Sequence, residues 1–234
     1  MRIASYFNTL ESDVNSKRYN IFIGVSLGNA YFTKGHIKEY IRWALAHTKE
    51  KVAILIPDQI HAINYEVRNG YSKERSARRA FREGEKVQGI VVSILAELIP
   101  EERDMVTILT WEKIETEEYQ SKVKILYDEF KMDDVFRKAI IDFVRESVPI
   151  ERFGDADYER LAEYPLRELP LLISGFEFEG VRYGLLPYPG ISGIDHLVVD
   201  LQENKRFVDL AKRLNIDSKL RIIEAYADED STDS

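Results

Sequence analysis

The chain has no cysteine among its 234 residues. That absence removes disulfides, thiolate metal sites and a cysteine nucleophile together. It fits a reducing cytoplasm, the location expected here. Histidine is scarce: the four, at 36, 47, 61 and 196, form no H-E-x-x-H pair, so no metal site is expected. No apolar run is long enough to span a bilayer, and the opening MRIASYFNTLESDVNS lacks the apolar core of a secretion signal, so no membrane partner is expected. Positive charge is also in deficit, at a net −8. A surface that attracts polyanions everywhere is excluded, and a polyanion partner must meet a local basic patch.

What is present has the balance and length of one globular core. A single domain is expected over residues 1–226, followed by an acidic tail at 227–234 (ADEDSTDS) that is expected to be disordered. Three runs, NIFIGVS (20–26), KVAILIPD (51–58) and DMVTILTW (104–111), are rich in Val, Ile and Leu with little alternation. Strands buried on both faces of a parallel sheet read this way. Between the first two, Thr33 is placed to cap a helix whose apolar positions Ile37, Tyr40, Ile41, Ala44 and Leu45 share one face. The unit is βαβ with a right-handed crossover. Helices are expected over about 72–98, most of 115–148, 158–174 and 203–215, and further strands over 180–188 and 219–226. The fold class is therefore α/β: a Rossmann-like, mostly parallel sheet flanked by helices.

The first strand runs into Gly24-Val25-Ser26-Leu27-Gly28, a match to the G-x-S-x-G elbow of serine hydrolases. An elbow serine borrows an oxyanion-hole N–H from an earlier strand's loop, and no earlier strand is expected here. No helix follows at once, because NAYFTKG intervenes, and His196 is the only late histidine for a triad. Two readings stand on the local sequence. In one, Gly24 and Gly28 shape a turn and Ser26 is a turn hydroxyl. In the other, Ser26 is a nucleophile at the carboxyl end of a core strand, where open α/β sheets bind ligands. Further along, Tyr164 and Glu168 stand four apart on an expected helix and so share a face. A phenol and a carboxylate stacked in this way can hold an ammonium group, although a core Tyr beside a surface Glu has the same spacing.

A basic stretch occupies residues 68–86, with seven cations against three carboxylates for a local +4. Arg75, Arg78, Arg79, Arg82 and Lys86 follow one helical face, with Lys73 at its start. Such a stripe can track phosphates or can simply be a solvated face in loose ion pairs.

Taken together, these landmarks resemble the cyclodipeptide synthases. The resemblance rests on Ile21-Phe22-Ile23-Gly24-Val25-Ser26, on Asn29-Ala30-Tyr31-Phe32, on Asp133-Asp134-Val135-Phe136-Arg137, on Tyr164, Glu168 and Pro170, and on Tyr188 at a strand end. These motifs run in order from about 20 to 190. Departures are Asn20, where the family commonly has His, Pro165 in place of an aliphatic residue, and the pairing of Asn29 with Pro189, which mixes two branches. The resemblance implies a fold like the catalytic domain of class I aminoacyl-tRNA synthetases. It implies two aminoacyl-tRNAs as substrates, and a cyclic dipeptide made by ping-pong acyl transfer through aminoacyl-Ser26 and dipeptidyl-Ser26 enzyme. The ester arrives activated, so no cofactor is expected.

Under the same resemblance Tyr164 and Glu168 hold the first ammonium, Tyr188 relays protons and Asn29 positions the reacting groups. The basic helix binds tRNA through Lys73, Arg75, Arg78, Arg79, Arg82 and Lys86. Strand placement adds Phe22, Gly24, Ile54 and Leu186 as pocket walls. Two other functions keep the same residues: an α/β serine esterase that needs His196, and a non-catalytic RNA-binding module that needs only the basic stripe.

Overall fold

In the computed structural model, residues 1–148 and 150–228 are described. Seven strands form one sheet: β1 (Arg2–Ser5), β2 (Asn20–Gly24), β3 (Val52–Ile56), β4 (Val106–Thr110), β5 (Phe176–Phe178), β6 (Val181–Tyr188) and β7 (Arg221–Tyr226), in the order β1-β7-β6-β2-β3-β4, with β5 also pairing β6. Strands β7, β6, β2, β3 and β4 are parallel, and only β1 and β5 run antiparallel to their neighbours. Helices fill the connections: α1 (Glu11–Asn15), α2 (Lys34–His47), α3 (Ala62–Asn69), α4 (Lys73–Leu95), α5 (Pro100–Arg103), α6 (Glu117–Met132), α7 (Asp134–Ser147), α8 (Asp155–Leu161), α9 (Glu163–Ser174), α10 (Gly193–Gln202) and α11 (Val208–Leu214).

The expected βαβ unit is present. Thr33 caps α2 by accepting the His36 N–H at 3.2 Å, and Ile37, Tyr40, Ile41 and Ala44 are buried beneath the helix. On that face of the sheet they meet Ile21, Ile23, Val52 and Ile54, together with Val91 and Ile94 of α4. The other face carries Phe22, Ala53, Leu55, Leu186 and Ile222, covered by Trp111, Tyr119 and Leu171. Behind that layer, α3 and α7 to α11 pack as a second helical body. Parallel strands covered on both faces account for the unbroken apolar runs in the sequence.

Two sequence expectations change and one is refined. A strand does precede β2, but β1 sits at the sheet edge beyond β7 and β6 and lends β2 no loop. Residues 115–148 form two helices because the Asp133 carboxylate caps α7, accepting the Val135 and Phe136 N–H groups, each at 2.8 Å. The aspartate that opens the Asp133 to Arg137 motif is thus a helix cap. The tail does not begin at Ala227. The Ala227 N–H donates to the Tyr31 hydroxyl at 2.7 Å, and the Asp228 N–H to Glu39 at 2.9 Å. Residues 229–234 lie outside the described residues.

Asn20 has a structural task. Its side chain donates to the Arg182 carbonyl at 3.1 Å and accepts the Glu50 and Lys51 N–H groups at 2.9 Å, joining β2 to β6 and to the start of β3.

Candidate active site

The strand order reverses between β2 and β6, since the chain leaves β2 toward β3 on one side and β6 toward β7 on the other. Connections that diverge from neighbouring parallel strands leave a crevice at the carboxyl ends. A cavity of about 390 Å³ occupies it, lined by the ends of β2, β3 and β6 and by α3, α7, α9 and the start of α10. The sheet ends and α9 give one apolar side, with Phe22, Leu55, Trp111, Leu171 and Leu186.

The two glycines of G-V-S-L-G do different things. Gly24 is extended and faces the cavity, where an added Cβ would stand 3.8 Å from Leu186 Cδ1. Gly28 has a φ of +74°, a left-handed turn conformation that favours glycine. The turn continues as Asn29 N–H donates to the Ser26 carbonyl at 3.3 Å and the Asn29 side chain accepts the Tyr31 N–H at 3.0 Å. Helix α2 begins only at Lys34. The serine therefore lies in a loop beyond the strand, unlike an elbow serine that opens a helix.

Ser26 and Asn29 both line the cavity, and Tyr188 reaches it from the end of β6. The Ser26 hydroxyl lies beside the Tyr188 phenol in the cavity. Burial pushes the phenol up to about 12, Glu168 adds to the rise, and the Ser26 hydroxyl opposes it. Tyr188 is therefore a neutral phenol at physiological pH.

Helix α9 carries Tyr164 and Glu168 on its cavity face, with the phenol beside the carboxyl. Pro165 sits in the first turn of α9, where a missing N–H costs nothing. Burial raises the Glu168 carboxyl to about 7; the Tyr164 hydrogen bond lowers it and Asp195 raises it further. Tyr164 is held well above its usual value, first by burial and then by Glu168.

Ile54 is a correction. It pairs in register with Ile23, and both side chains pack on the opposite face with α2. Leu55, opposite Gly24, is the residue that lines the cavity. A one-residue step along a strand reverses the face.

Two ionisable residues of the cavity were not foreseen. Asp195 is buried near the start of α10 and accepts the Ser192 N–H at 2.7 Å and the Ser192 hydroxyl at 2.8 Å. The S-x-x-D spacing of a capping box was its available signal. Burial raises its carboxyl, against the Ser192 hydrogen bonds. His61 stands edge-on to Tyr164 with ring centroids 6.0 Å apart. Burial, and then the charge of Arg68, lowers its imidazole to about 4. His196 is elsewhere: it is exposed, packs against Phe7 with ring centroids 5.0 Å apart and does not line the cavity. No Ser-His pair forms with it.

Helix α4 buries Ser76, Ala80, Gly84 and Val91 and exposes Lys73, Arg75, Arg78, Arg79, Arg82 and Lys86. Arg79 and Lys86 share Glu83 at 2.9 and 3.2 Å. Arg75 lies 3.7 Å over the Tyr71 ring. Lys73, Arg78 and Arg82 form no ion pair among the described residues.

Comparison with known proteins gives the family and the fold. The family profile described as cyclodipeptide synthase matches residues 9–206. No curated protein matches the sequence. Among solved structures, a cyclodipeptide synthase from Bacillus thermoamylovorans is similar at 18% identity and a TM-score of 0.73, covering 93% of each chain. A Mycobacterium tuberculosis protein, whose structure relates cyclodipeptide synthetases to type I tRNA synthetases, is similar at 21% identity and 0.65, covering 80% of each chain. A cyclodipeptide synthase from Candidatus Glomeribacter gigasporarum, solved bound to Phe-tRNAPhe, is similar at 14% identity and 0.58, covering 89% of this chain and 88% of that one.

Proposed function

Because the chain belongs to the cyclodipeptide synthase family, we propose that it joins two aminoacyl-tRNAs into a cyclic dipeptide by acyl transfer through Ser26, with residues 1–228 acting as one catalytic domain. The observation that carries this reading is the meeting of Ser26, Tyr188, Tyr164 and Glu168 around one cavity at the point where the strand order reverses.

The Ser26 oxygen attacks the ester carbonyl of the first aminoacyl-tRNA. Its proton passes to the Tyr188 oxygen while the phenol's own proton passes to the departing 3′ oxygen. A phenol raised to about 12 is a poor base on its own, and a relay in which it gains one proton as it gives another suits it. Aminoacyl-Ser26 and free tRNA result. For the peptide to remain on Ser26, the next nucleophile is the amine already on the serine. Tyr164 and Glu168 hold it as an ammonium, and Glu168, with a carboxyl near 7, takes its proton near the working pH. The amine attacks the ester of the second aminoacyl-tRNA and releases that tRNA. The new terminal amine then attacks the seryl ester, the ring closes, and Ser26 regains its proton through Tyr188. Asn29 at the cavity rim orients the reacting acyl groups.

Asp195 puts a second carboxyl beside the ammonium site, which favours a cationic amine there. The apolar side built from Phe22, Leu55, Trp111, Leu171 and Leu186 makes the first amino acid an apolar one. The exposed cations of α4 hold the acceptor stem. The tRNA-bound structure from Candidatus Glomeribacter gigasporarum supports that substrate class.

The test is incubation of the purified protein with charged tRNAs. Intact-mass analysis should find an aminoacyl adduct that maps to Ser26, and the medium should contain a cyclic dipeptide. Ser26→Ala should fold and lose both. Absence of adduct and product with every charged tRNA in the wild type would falsify the reading.

A further inference from the structure

Arg68 ends α3 at the mouth of the cavity, exposed and lining it. It forms no ion pair among the described residues, whereas nearby Glu66 is taken by Arg160 at 3.4 Å. The Arg68 carbonyl accepts the Arg152 guanidinium at 2.7 Å, which brings a second cation to the same rim. Two cation–ring contacts tie this rim to the basic helix: Arg75 over Tyr71 at 3.7 Å and Arg79 over Tyr65 at 5.9 Å. Cations of α4 thus touch the segment that carries Arg68 to the cavity. Inward from Arg68, residues 64 and 61 follow on the same face of α3, as Asn64 and His61, whose side chains meet at 3.3 Å. They make a polar wall opposite the apolar one. The charge of Arg68 is felt at the His61 ring, so its field enters the cavity.

An unpaired guanidinium at the door of an active site selects an anion. The proposed substrates carry no free α-carboxylate, because each amino acid arrives as an ester, and ring closure leaves none in the product. The anionic groups that every such substrate shares are the phosphodiesters of the nucleic acid. We infer that Arg68 binds a phosphodiester in the unpaired 3′ end of the aminoacyl-tRNA, so that the chain entering the cavity is held at the door while the acceptor stem lies on α4. This inference rests on the function proposed above. Guanidinium suits the task because its fork matches two phosphate oxygens.

The experiment measures single-turnover acylation of Ser26 by intact mass with two donors, an aminoacyl-tRNA and the cyanomethyl ester of the same amino acid, which has no phosphate. Arg68→Ala should slow acylation from tRNA by about tenfold to a hundredfold, the range of a lost charge-assisted contact. Its rate with the small ester, which has no phosphate to lose, should fall by clearly less than its rate with tRNA, and the difference between the two donors is the readout. The dependence of log rate on log salt should become shallower by about 0.7, one phosphate on a single strand. Arg68→Lys should recover the salt slope and part of the rate. Equal slowing with both donors, or an unchanged rate with tRNA, overturns the inference. If the small ester does not acylate Ser26, the salt slope decides alone. If tRNA fails to acylate the wild type, the parent reading falls and this inference with it; a wild type that works beside an indifferent Arg68→Ala overturns the inference only.

Discussion

Glu168→Gln should make the protein more stable and less active. Burial holds the Glu168 carboxyl up to about 7 from an ordinary 4.5. Below about pH 4.5 the carboxyl is protonated whether the chain is folded or not. Between 4.5 and about 7 the unfolded chain releases the proton and the folded protein keeps it, so stability falls as pH rises through this window. Above about 7 the full penalty is in place. At about 1.4 kcal/mol per pH unit it comes to about 3 kcal/mol. Glu168 is half-buried and faces a cavity that admits water, and screening there reduces the penalty to about 2 kcal/mol. Glutamine has the same shape, still accepts the Tyr164 hydrogen bond and carries no charge. The variant should therefore match wild type near pH 4.5 and exceed it by about 2 kcal/mol at pH 8, which raises Tm by roughly 4–8 °C for a chain of this size. Thermal unfolding of both proteins across pH 4.5 to 8.5 measures this directly. The amide cannot take the ammonium proton, so turnover should fall by about 10²-fold or more. In wild type, kcat/KM should decline below about pH 7 as the carboxyl protonates. A variant that is less stable at pH 8, or a stability difference that does not change with pH, refutes the reasoning.

Other substitutions probe the remaining parts of the site and its support. Gly24→Ala adds a methyl that meets Leu186 Cδ1 at an ordinary 3.8 Å, so the fold should survive while bulky first amino acids lose by about tenfold to two-hundredfold against small ones; product ratios from mixed charged tRNAs report it. Tyr188→Phe removes the proton relay at Ser26, and single-turnover acylation should slow by about 10²-fold with an unchanged melting temperature. Arg78→Glu combined with Arg82→Glu should weaken use of every aminoacyl-tRNA alike and flatten the salt dependence, leaving small-ester acylation intact. Gly84→Ala would put a Cβ 2.8 Å from Asp58 Cβ and 3.4 Å from Ile56 Cγ2. It should push α4 off β3 and cost about 1–3 kcal/mol in denaturant titrations.

The central strands and long helices were legible because each carries its own signal: an unbroken apolar run, or a capped stretch with one apolar face. The elements that escaped lack one. β1 is four residues at an edge, half exposed, and exists through its pairing with β7. β5 is three residues added to β6. α10 hides behind Gly193 and the β-branched Val198 and Val199, and only the Ser192–Asp195 box announces it. The Ile54 error has a sharper cause. Every residue of β3 is buried, so its sequence contains no alternation from which to read the facing side. Only the register with β2, which sets Leu55 against Gly24, assigns it.

The site was legible in part for a different reason. Tyr164 and Glu168 could be placed on one helix face from their spacing, but no local pattern states that α9 lies across the end of β2. That contact is made by a layer of residues distant in sequence, with Leu171 packed among Phe22, Leu55 and Leu186. The same holds for the serine. G-V-S-L-G is equally compatible with a hydrolase elbow and with a plain turn, and its own residues do not choose. The choice comes from what stands beside Ser26: a phenol held protonated by burial, with no histidine paired to the hydroxyl. A phenol passes protons on without holding the serine ready as a base would, so Ser26 is matched to an ester that is already activated. In the proposed function the carboxyl nearby, at about 7, is matched to the ammonium of the aminoacyl group on Ser26. A water nucleophile would need a base at the serine, and the imidazole that lines the cavity, lowered to about 4 at His61, is neutral but too weak a base to fill that place. Under the proposed function the cavity's acid–base order favours aminolysis over hydrolysis, and that ordering is a property of burial, which no single stretch of the sequence contains.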